Sequence, residues 1–313
     1  MKHAHTKAVD SIYRKALLSF LLGALLVSSL SMTRASTGPE LLLETGSAQK
    51  AGTPQAIPTT IKIVSYNMRW RGGKDLRELI GLLRSDALIG QAQIICLQEV
   101  DRNKKRTRNV NTARMMAEEL GLHYAWAAPP LAPGKEKEEE ETGVSILSLY
   151  PLTDVTRIVL PNAGPGGRRR VALGATVHVG PNLVRVYTVH AETRTTNERR
   201  IEQFQAVLDD LARHAKIERA AVMGDFNTIT DDDVNATSEL FKDAGFQTPF
   251  SNREPTWKTF IIKLKLDWVW LRGLRALDYG INRRVGLSDH WPLWVNVRLD
   301  DQRDALKTST SQK

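Results

Sequence analysis

QIICLQEV, from Gln93 to Val100, carries apolar side chains on both faces of any strand it forms. Such a strand must be covered twice, which a half-solvated sheet does not provide. The pattern recurs in VALGATVHV (Val171–Val179) and LVRVYTVHA (Leu183–Ala191), on either side of the hairpin signal Gly180-Pro181-Asn182. Further strands are expected at Ile61–Met68, His123–Ala127, Gly143–Leu149, Asp154–Leu160, Ala220–Gly224, Leu266–Leu271 and Trp294–Leu299. Helical spacing runs over Asp75–Ile89, Asn111–Leu120, Thr196–Ala215 and Val234–Ala244. Strands outnumber helices, so the expected class is α/β, two stacked sheets with helices outside.

The N-terminus reads differently. Lys2, Lys7, Arg14 and Lys15 precede an uncharged apolar run, Ala16–Met32, and then the small residues of Thr33–Ser36. A basic start, an apolar middle and a small-residue end describe a signal peptide over residues 1–35, or an N-terminal membrane anchor, since about 17 apolar residues suffice to span. The chain is therefore expected to be exported, periplasmic or extracellular. Residues 36–60, with Pro39, Pro54 and Pro58 among Thr, Ser, Gly and Gln, read as a flexible linker. One domain is expected over 61–300 and a polar tail over 301–313. The single cysteine, Cys96, excludes an internal disulfide or a multi-thiolate metal site and is expected inside a strand.

The net charge is +9, which invites a nucleic-acid reading. Lys2, Lys7, Arg14, Lys15 and Arg34 against Asp10 place +4 of it in residues 1–35, so +5 remains for the rest. That fits a protein handling phosphate without naming nucleic acid. Lys135–Glu141 (KEKEEEE) is expected to be a solvated loop tip. Arg168–Arg170 reads first as a solvated strand start and second as a phosphate contact. Ala125–Pro133 is an apolar loop that either packs or faces a membrane or substrate.

Polar residues stand repeatedly where apolar strands end: Asn67, Glu99, His190, Asp225 and Asn227 in GDFN, Asp267 before WVW, and Asp289-His290 in SDHWP. Each alone is an ordinary turn or surface residue; together, at strand ends of an α/β fold, they are expected to share one cleft. Glu99, Asn67 and Asp289 are hard oxygen donors suited to Mg²⁺, with Mn²⁺ possible, rather than zinc. Asp267 is the candidate partner that would orient His290. There is no GxSxG elbow and no GxxxxGK loop. Metal-assisted hydrolysis of a phosphate ester is the chemistry this set favours.

SYNM (Ser65–Met68), LQEVD (Leu97–Asp101), GVSILSLYPL (Gly143–Leu152), VHAE (Val189–Glu192), GDFNT (Gly224–Thr228), LDWVW (Leu266–Trp270) and SDHWP (Ser288–Pro292) resemble, in order, the motifs of the endonuclease/exonuclease/phosphatase family, the DNase I-like metal-dependent phosphoesterases. The resemblance implies a four-layer α/β/β/α sandwich with its site at one mouth of the paired sheets. It implies that Glu99 binds the metal with Asn67 beside it and Asp289 completing the metal or product site. Asp225 would orient or deprotonate water, Asn227 and His190 would donate to the phosphate, and His290 would act on Asp267. Whether Asp225 or His290 is the general base stays open. His190 is similar to the DNase I, sphingomyelinase and tyrosyl-DNA phosphodiesterase branches.

The resulting expectation is an exported Mg²⁺-dependent phosphodiesterase, a monomer, acting on nucleic acid or a phospholipid headgroup, with possible membrane association through the N-terminal segment. The alternatives are a phosphomonoesterase on a small or inositol phosphate, and an inactive binding protein on the same fold.

Overall fold

The computed structural model describes residues 42–49, 58–134 and 141–299. The chain divides at Leu41/Leu42 into two units, and the described residues belong to the second. In chain order its elements are β1 (Leu43–Ser47), β2 (Thr60–Asn67), α1 (Gly73–Ser85), β3 (Ile94–Arg102), α2 (Thr112–Leu120), β4 (His123–Ala127), β5 (Glu141–Ser148), β6 (Leu152–Val159), β7 (Val171–Val179), β8 (Asn182–His190), α3 (Asn197–Arg213), β9 (Arg219–Asp225), α4 (Asp231–Asp243), β10 (Trp257–Lys258), β11 (Lys263–Leu264), β12 (Asp267–Arg272), β13 (Arg275–Ile281) and β14 (Leu293–Arg298).

Seven strands form one sheet in the order β1-β4-β5-β3-β2-β14-β13, and five form a second, β12-β9-β8-β7-β6. Within each sheet one pair is parallel, β2 with β3 and β8 with β9. A parallel neighbour needs a crossover, and α1 and α3 supply it. The strand pleat then accounts for the doubly apolar runs. Ile63, Ile94 and Cys96 point inward and meet Leu173, Val186 and Met223 of the other sheet. Val64, Ile95 and Leu97 point outward, beneath Leu76, Leu79 and Leu83 of α1 and Met116 of α2. On the far side Phe204 of α3 and Phe241 of α4 cover Tyr187, Trp268 and Trp270, with Phe241 stacked on Trp270 at 5.2 Å. The result is an α/β/β/α sandwich. Cys96 is buried as expected, and burial pushes its thiol pKa up, so it is inert.

Helix ends follow their local chemistry. Asn111 caps α2 by accepting from Ala113 and Arg114 N–H, and Gly121 ends it in the left-handed region at φ 67°. Thr230 and Asp233 form a capping box at the start of α4, which begins three residues earlier than its apolar spacing suggested. Among the described residues no helix is long and apolar enough to cross a membrane.

Two expectations are corrected. Leu43–Ser47, placed in the linker, is a strand on the edge of the larger sheet, paired with β4. Its Glu44 is held by Arg114, Arg102 and the Tyr124 hydroxyl, polar contacts that hydrophobic periodicity does not register. Glu141, placed in a solvated tip, opens β5 and is buried against the Arg102 guanidinium at 3.0 Å. The strand expected at His123–Ala127 is β4, and Ala125–Ala127 of the apolar segment pack fully buried. The residues of the leader (1–35) and tail (301–313), and 135–140, lie outside the described residues.

Candidate active site

Strand register assembles the site. The parallel β8–β9 pair sets His190 beside Asp225, and the antiparallel β9–β12 pair sets Asp225 beside Asp267. Gly224 makes this possible: it sits at φ 135°, and a Cβ there would lie 2.1 Å from the Val189 carbonyl oxygen. In the other sheet Asn67 ends β2, and β3 carries a bulge between Gln98 and Val100. Glu99 occupies that bulge at φ 56°, a left-handed conformation costly for a glutamate. The bulge turns its carboxylate into the cleft mouth, the usual service of such irregularities.

The cleft holds about 240 Å³ and is lined by Glu99, His190, Asp225, Asn227, Asp289 and His290, with Arg69, Arg170 and Trp257. Asn67 lies beneath it and Asp267 behind His290, so all eight residues singled out from the sequence converge. A groove of about 590 Å³ shares Glu99, Arg170 and His190 with the cleft and continues past Trp70, Pro129–Ala132 and Arg168.

His290 and Asp267 form the best-defined pair. His290 Nδ1 lies 2.8 Å from Asp267 Oδ2 and 3.1 Å from Oδ1, and its Nε2 lies 3.7 Å from Asp225 Oδ2. Asp267 is itself pinned, its N–H donating to the buried Thr256 hydroxyl at 2.8 Å. Burial alone would lower the His290 pKa, but the carboxylates of Asp267 and Asp225 outweigh it and raise it to about 9. His290 is thus a cation at neutral pH. Burial raises the Asp225 pKa; the His290 charge opposes this, and Asp267 and Glu99 add to it. Asp225 Oδ2 accepts from Asn67 Nδ2 at 2.9 Å and Oδ1 from the Asn227 N–H at 3.1 Å.

His190 has the opposite character. Burial and the neighbouring Arg170 cation hold its pKa well below the ordinary value. Arg170 Nη1 lies 3.0 Å from His190 Nε2 and 3.3 Å from Nδ1, and since a guanidinium only donates, the ring beside it is neutral and accepts. Arg170 is oriented from behind by the buried Glu192, 3.2 Å from its Nε. The expectation of a solvated strand start at Arg168–Arg170 therefore fails for Arg170, which is drawn inward by Glu192 and presented to the cleft.

The hydrogen bonds place the expected metal ligands as follows. Asn67 Oδ1 accepts from the Arg69 N–H at 3.0 Å while its Nδ2 faces Glu99 Oε1 (3.3 Å) and Asp225. Asn67 bridges the two carboxylates through its amide nitrogen, and its Oδ1 keeps a second lone pair beside Glu99. Asp289 pairs with Arg69 at 3.3 Å and accepts from the Ser288 hydroxyl. Glu99 has no ion-pair partner among the described residues, and its carboxylate lines the cleft. That is a hard oxygen donor in the right place for a divalent cation. Asp225, Asp267 and His290 also bring candidate ligand atoms within 4.8 Å of one another, with His290 and Asp267 hydrogen-bonded and Asp225 accepting from Asn67 and the Asn227 N–H. Arg69 and Trp257 were missed from the sequence. Arg69 had only its position two residues after Asn67 to mark it, and Trp257 had no signal.

A four-layer sandwich with a carboxylate-held histidine, a buried aspartate and an arginine at one mouth of its paired sheets defines the DNase I-like class of phosphoesterases. Within it, the chain belongs to the endonuclease/exonuclease/phosphatase family, whose sequence profile matches residues 64–290. No curated protein gave a significant match. Solved structures share the fold at low identity. An endonuclease/exonuclease/phosphatase from Beutenbergia cavernae DSM 12333 is 18% identical at TM-score 0.61, covering 77% of this chain and 72% of that one. The human nocturnin catalytic domain with bound sulfate is 19% identical at TM-score 0.57, covering 84% and 99%. Humanized D. rerio TDP2 is 17% identical at TM-score 0.58, covering 77% and 100%.

Proposed function

We propose that this chain is an exported, Mg²⁺-dependent phosphodiesterase. The observation that carries the chemistry is the His290–Asp267 pair facing the buried Asp225 across a cleft that also holds Arg170 and Glu99. The reading of export rests on the basic–apolar–small order of residues 1–35.

Water attacks phosphorus as the bond to the leaving oxygen breaks. Asp225, whose proton affinity is raised by burial, takes the water proton. His290, cationic and held by Asp267, gives a proton to the leaving oxygen and offsets phosphate charge as it develops. Arg170 binds a phosphate oxygen, and neutral His190 and the second amide hydrogen of Asn227 serve as further donors; the first Asn227 hydrogen goes to the Ala191 carbonyl. Glu99 would hold the divalent cation, which when bound supplies charge stabilisation to the phosphate oxygens. The sulfate in the human nocturnin domain is consistent with a tetrahedral oxyanion as ligand of this fold.

The test is a phosphoesterase panel with Mg²⁺: bis-p-nitrophenyl phosphate, plasmid DNA, RNA, inositol phosphates and sphingomyelin, run on wild type, Glu99→Ala and His290→Ala. Turnover of a diester by wild type and its loss in both variants supports the reading. Equal turnover in all three overturns the mechanism, preference for a monoester overturns the diester assignment, and no turnover of anything points to a binding protein.

A further inference from the structure

The most exposed large apolar side chains of the described residues stand side by side. Phe260 is 103% exposed, Ile261 83% and Ile262 48%. They form the tip of the β10–β11 hairpin, and the tip is built rather than loose. The Thr259 N–H donates to the Ile262 carbonyl at 2.8 Å, and the Thr259 hydroxyl accepts from the Ile262 N–H at 3.0 Å. Three consecutive bulky apolar residues held in water by a hydrogen-bonded turn have no folding rationale, and such patches mark interaction sites.

The base of the hairpin is joined to the catalytic segment. The Lys258 N–H donates to the Asp289 carbonyl at 2.9 Å, the Trp291 N–H donates to the Thr256 carbonyl at 2.8 Å, and Trp257 pairs with His290. Trp257 and Leu264 line the cleft. Lys258 and Thr259 alone separate Trp257 from Phe260, so the tip stands within about 10 Å of the cleft wall along the chain.

The charges behind the tip select the partner. Lys258 and Lys263 are both exposed and lie directly opposite each other in the hairpin register. Like charges in cross-strand pairs are unfavourable, and an anion beside them relieves the repulsion. They sit one and two residues behind the apolar tip, roughly 3–7 Å, which is the offset between buried side chains and lipid phosphates at a membrane interface. The tip is convex, a shape suited to a fluid bilayer.

We propose that Phe260–Ile262 inserts into an anionic lipid surface, with Lys258 and Lys263 on the headgroup phosphates, and so sets the catalytic cleft against the bilayer. The cleft then takes its phosphate ester from that surface, a part of the proposal that rests on the phosphoesterase reading above.

Cys96 is buried and is the one native cysteine, so an Ile261→Cys variant of the full chain accepts an environment-sensitive dye at the tip alone. The dye should shift to the blue and be quenched by nitroxides on lipid chains when phosphatidylcholine–phosphatidylglycerol vesicles are added, more strongly than with phosphatidylcholine alone. The same dye on Glu78→Cys, exposed on α1, should not respond. A tip dye that stays water-like, or that responds no more than the α1 dye, overturns the proposal. So does a shift that follows protein concentration without vesicles, which makes a second copy the occupant. In a second arm, a Phe260→Ser/Ile261→Ser variant should keep its turnover of soluble bis-p-nitrophenyl phosphate and lose about tenfold or more on a vesicle-borne phosphodiester. Equal loss on both substrates overturns the surface role. No wild-type turnover of the soluble ester is a failure of the phosphoesterase reading, and the dye arm still decides the docking.

Discussion

Asp267 grips His290 through both carboxylate oxygens, at 2.8 and 3.1 Å from Nδ1, and both side chains are buried but for the edge of the ring at the cleft. The grip fixes the ring orientation, directs Nε2 at the cleft, and makes the imidazolium the stable form. Asp267→Asn keeps the volume and removes the charge. The expected outcome is a fall in kcat of ~10²–10⁴-fold, the range carried by one positioned acid–base group, with KM little changed. Steady-state kinetics on a soluble diester reads it.

The same pair makes stability depend on pH. The folded-state His290 pKa of about 9 lies above its unfolded value near 6.5, so its stabilisation is complete below about pH 6.5 and is lost as pH rises toward 9. Asp225, also raised, acts in the same direction, because the native state again binds more protons than the unfolded chain. Above pH 8 the buried Lys265, lowered to about 8, opposes the trend. Urea midpoints in metal-free buffer should therefore fall between pH 6.5 and 8, and Asp267→Asn should flatten the slope.

Arg170 is the cation presented to the cleft from the smaller sheet, held by Glu192. Arg170→Met keeps much of its packing and removes its charge. A loss of 10- to 100-fold in kcat/KM is expected, in line with about 1.5–3 kcal/mol for a hydrogen bond to a charged group. The salt dependence of KM should weaken in parallel.

Chelation tests the cation. EDTA should abolish turnover and Mg²⁺ restore it, and Glu99→Gln should raise the Mg²⁺ concentration for half-activation by at least tenfold, since the carboxylate is replaced by a neutral amide. A titration of activity against Mg²⁺ in both proteins measures this.

Away from the site, Arg185 is fully buried on β8, donating to Asp210 of α3 at 2.8 Å, while the Tyr187 hydroxyl donates to the same oxygen at 2.7 Å. Asp210→Ala strands that guanidinium without its counter-charge. A cost of about 3–5 kcal/mol is expected by urea unfolding, with Tyr187→Phe costing about 1 kcal/mol.

Much of this molecule was written in its residues. Strand-length apolar runs with no polar face demanded two stacked sheets under helices, and Asn67, Glu99, His190, Asp225, Asn227, Asp267, Asp289 and His290 each stood where such a run ended. Chain position at a strand end is a local property, so it survives in sequence. What did not survive were contacts between distant residues. Leu43–Ser47 looked like linker because its partners, β4 and the arginines around Glu44, lie some 60 to 80 positions away. Phe260–Ile262 carries no periodicity to say whether it faces a core or water, and only the fold puts it outside.

The sequence alone determined the class of fold and marked eight polar residues that share one cleft, because hydrophobic patterning and side-chain identity are carried by the chain itself. The tertiary structure alone decided their contacts. Strand register put Asp225 between His190 and Asp267, the bulge at Glu99 turned its carboxylate to the mouth, and the Arg69 backbone N–H oriented the Asn67 amide. A role is a matter of which atom faces which across a few ångströms, and that is settled only when the two sheets close on one another.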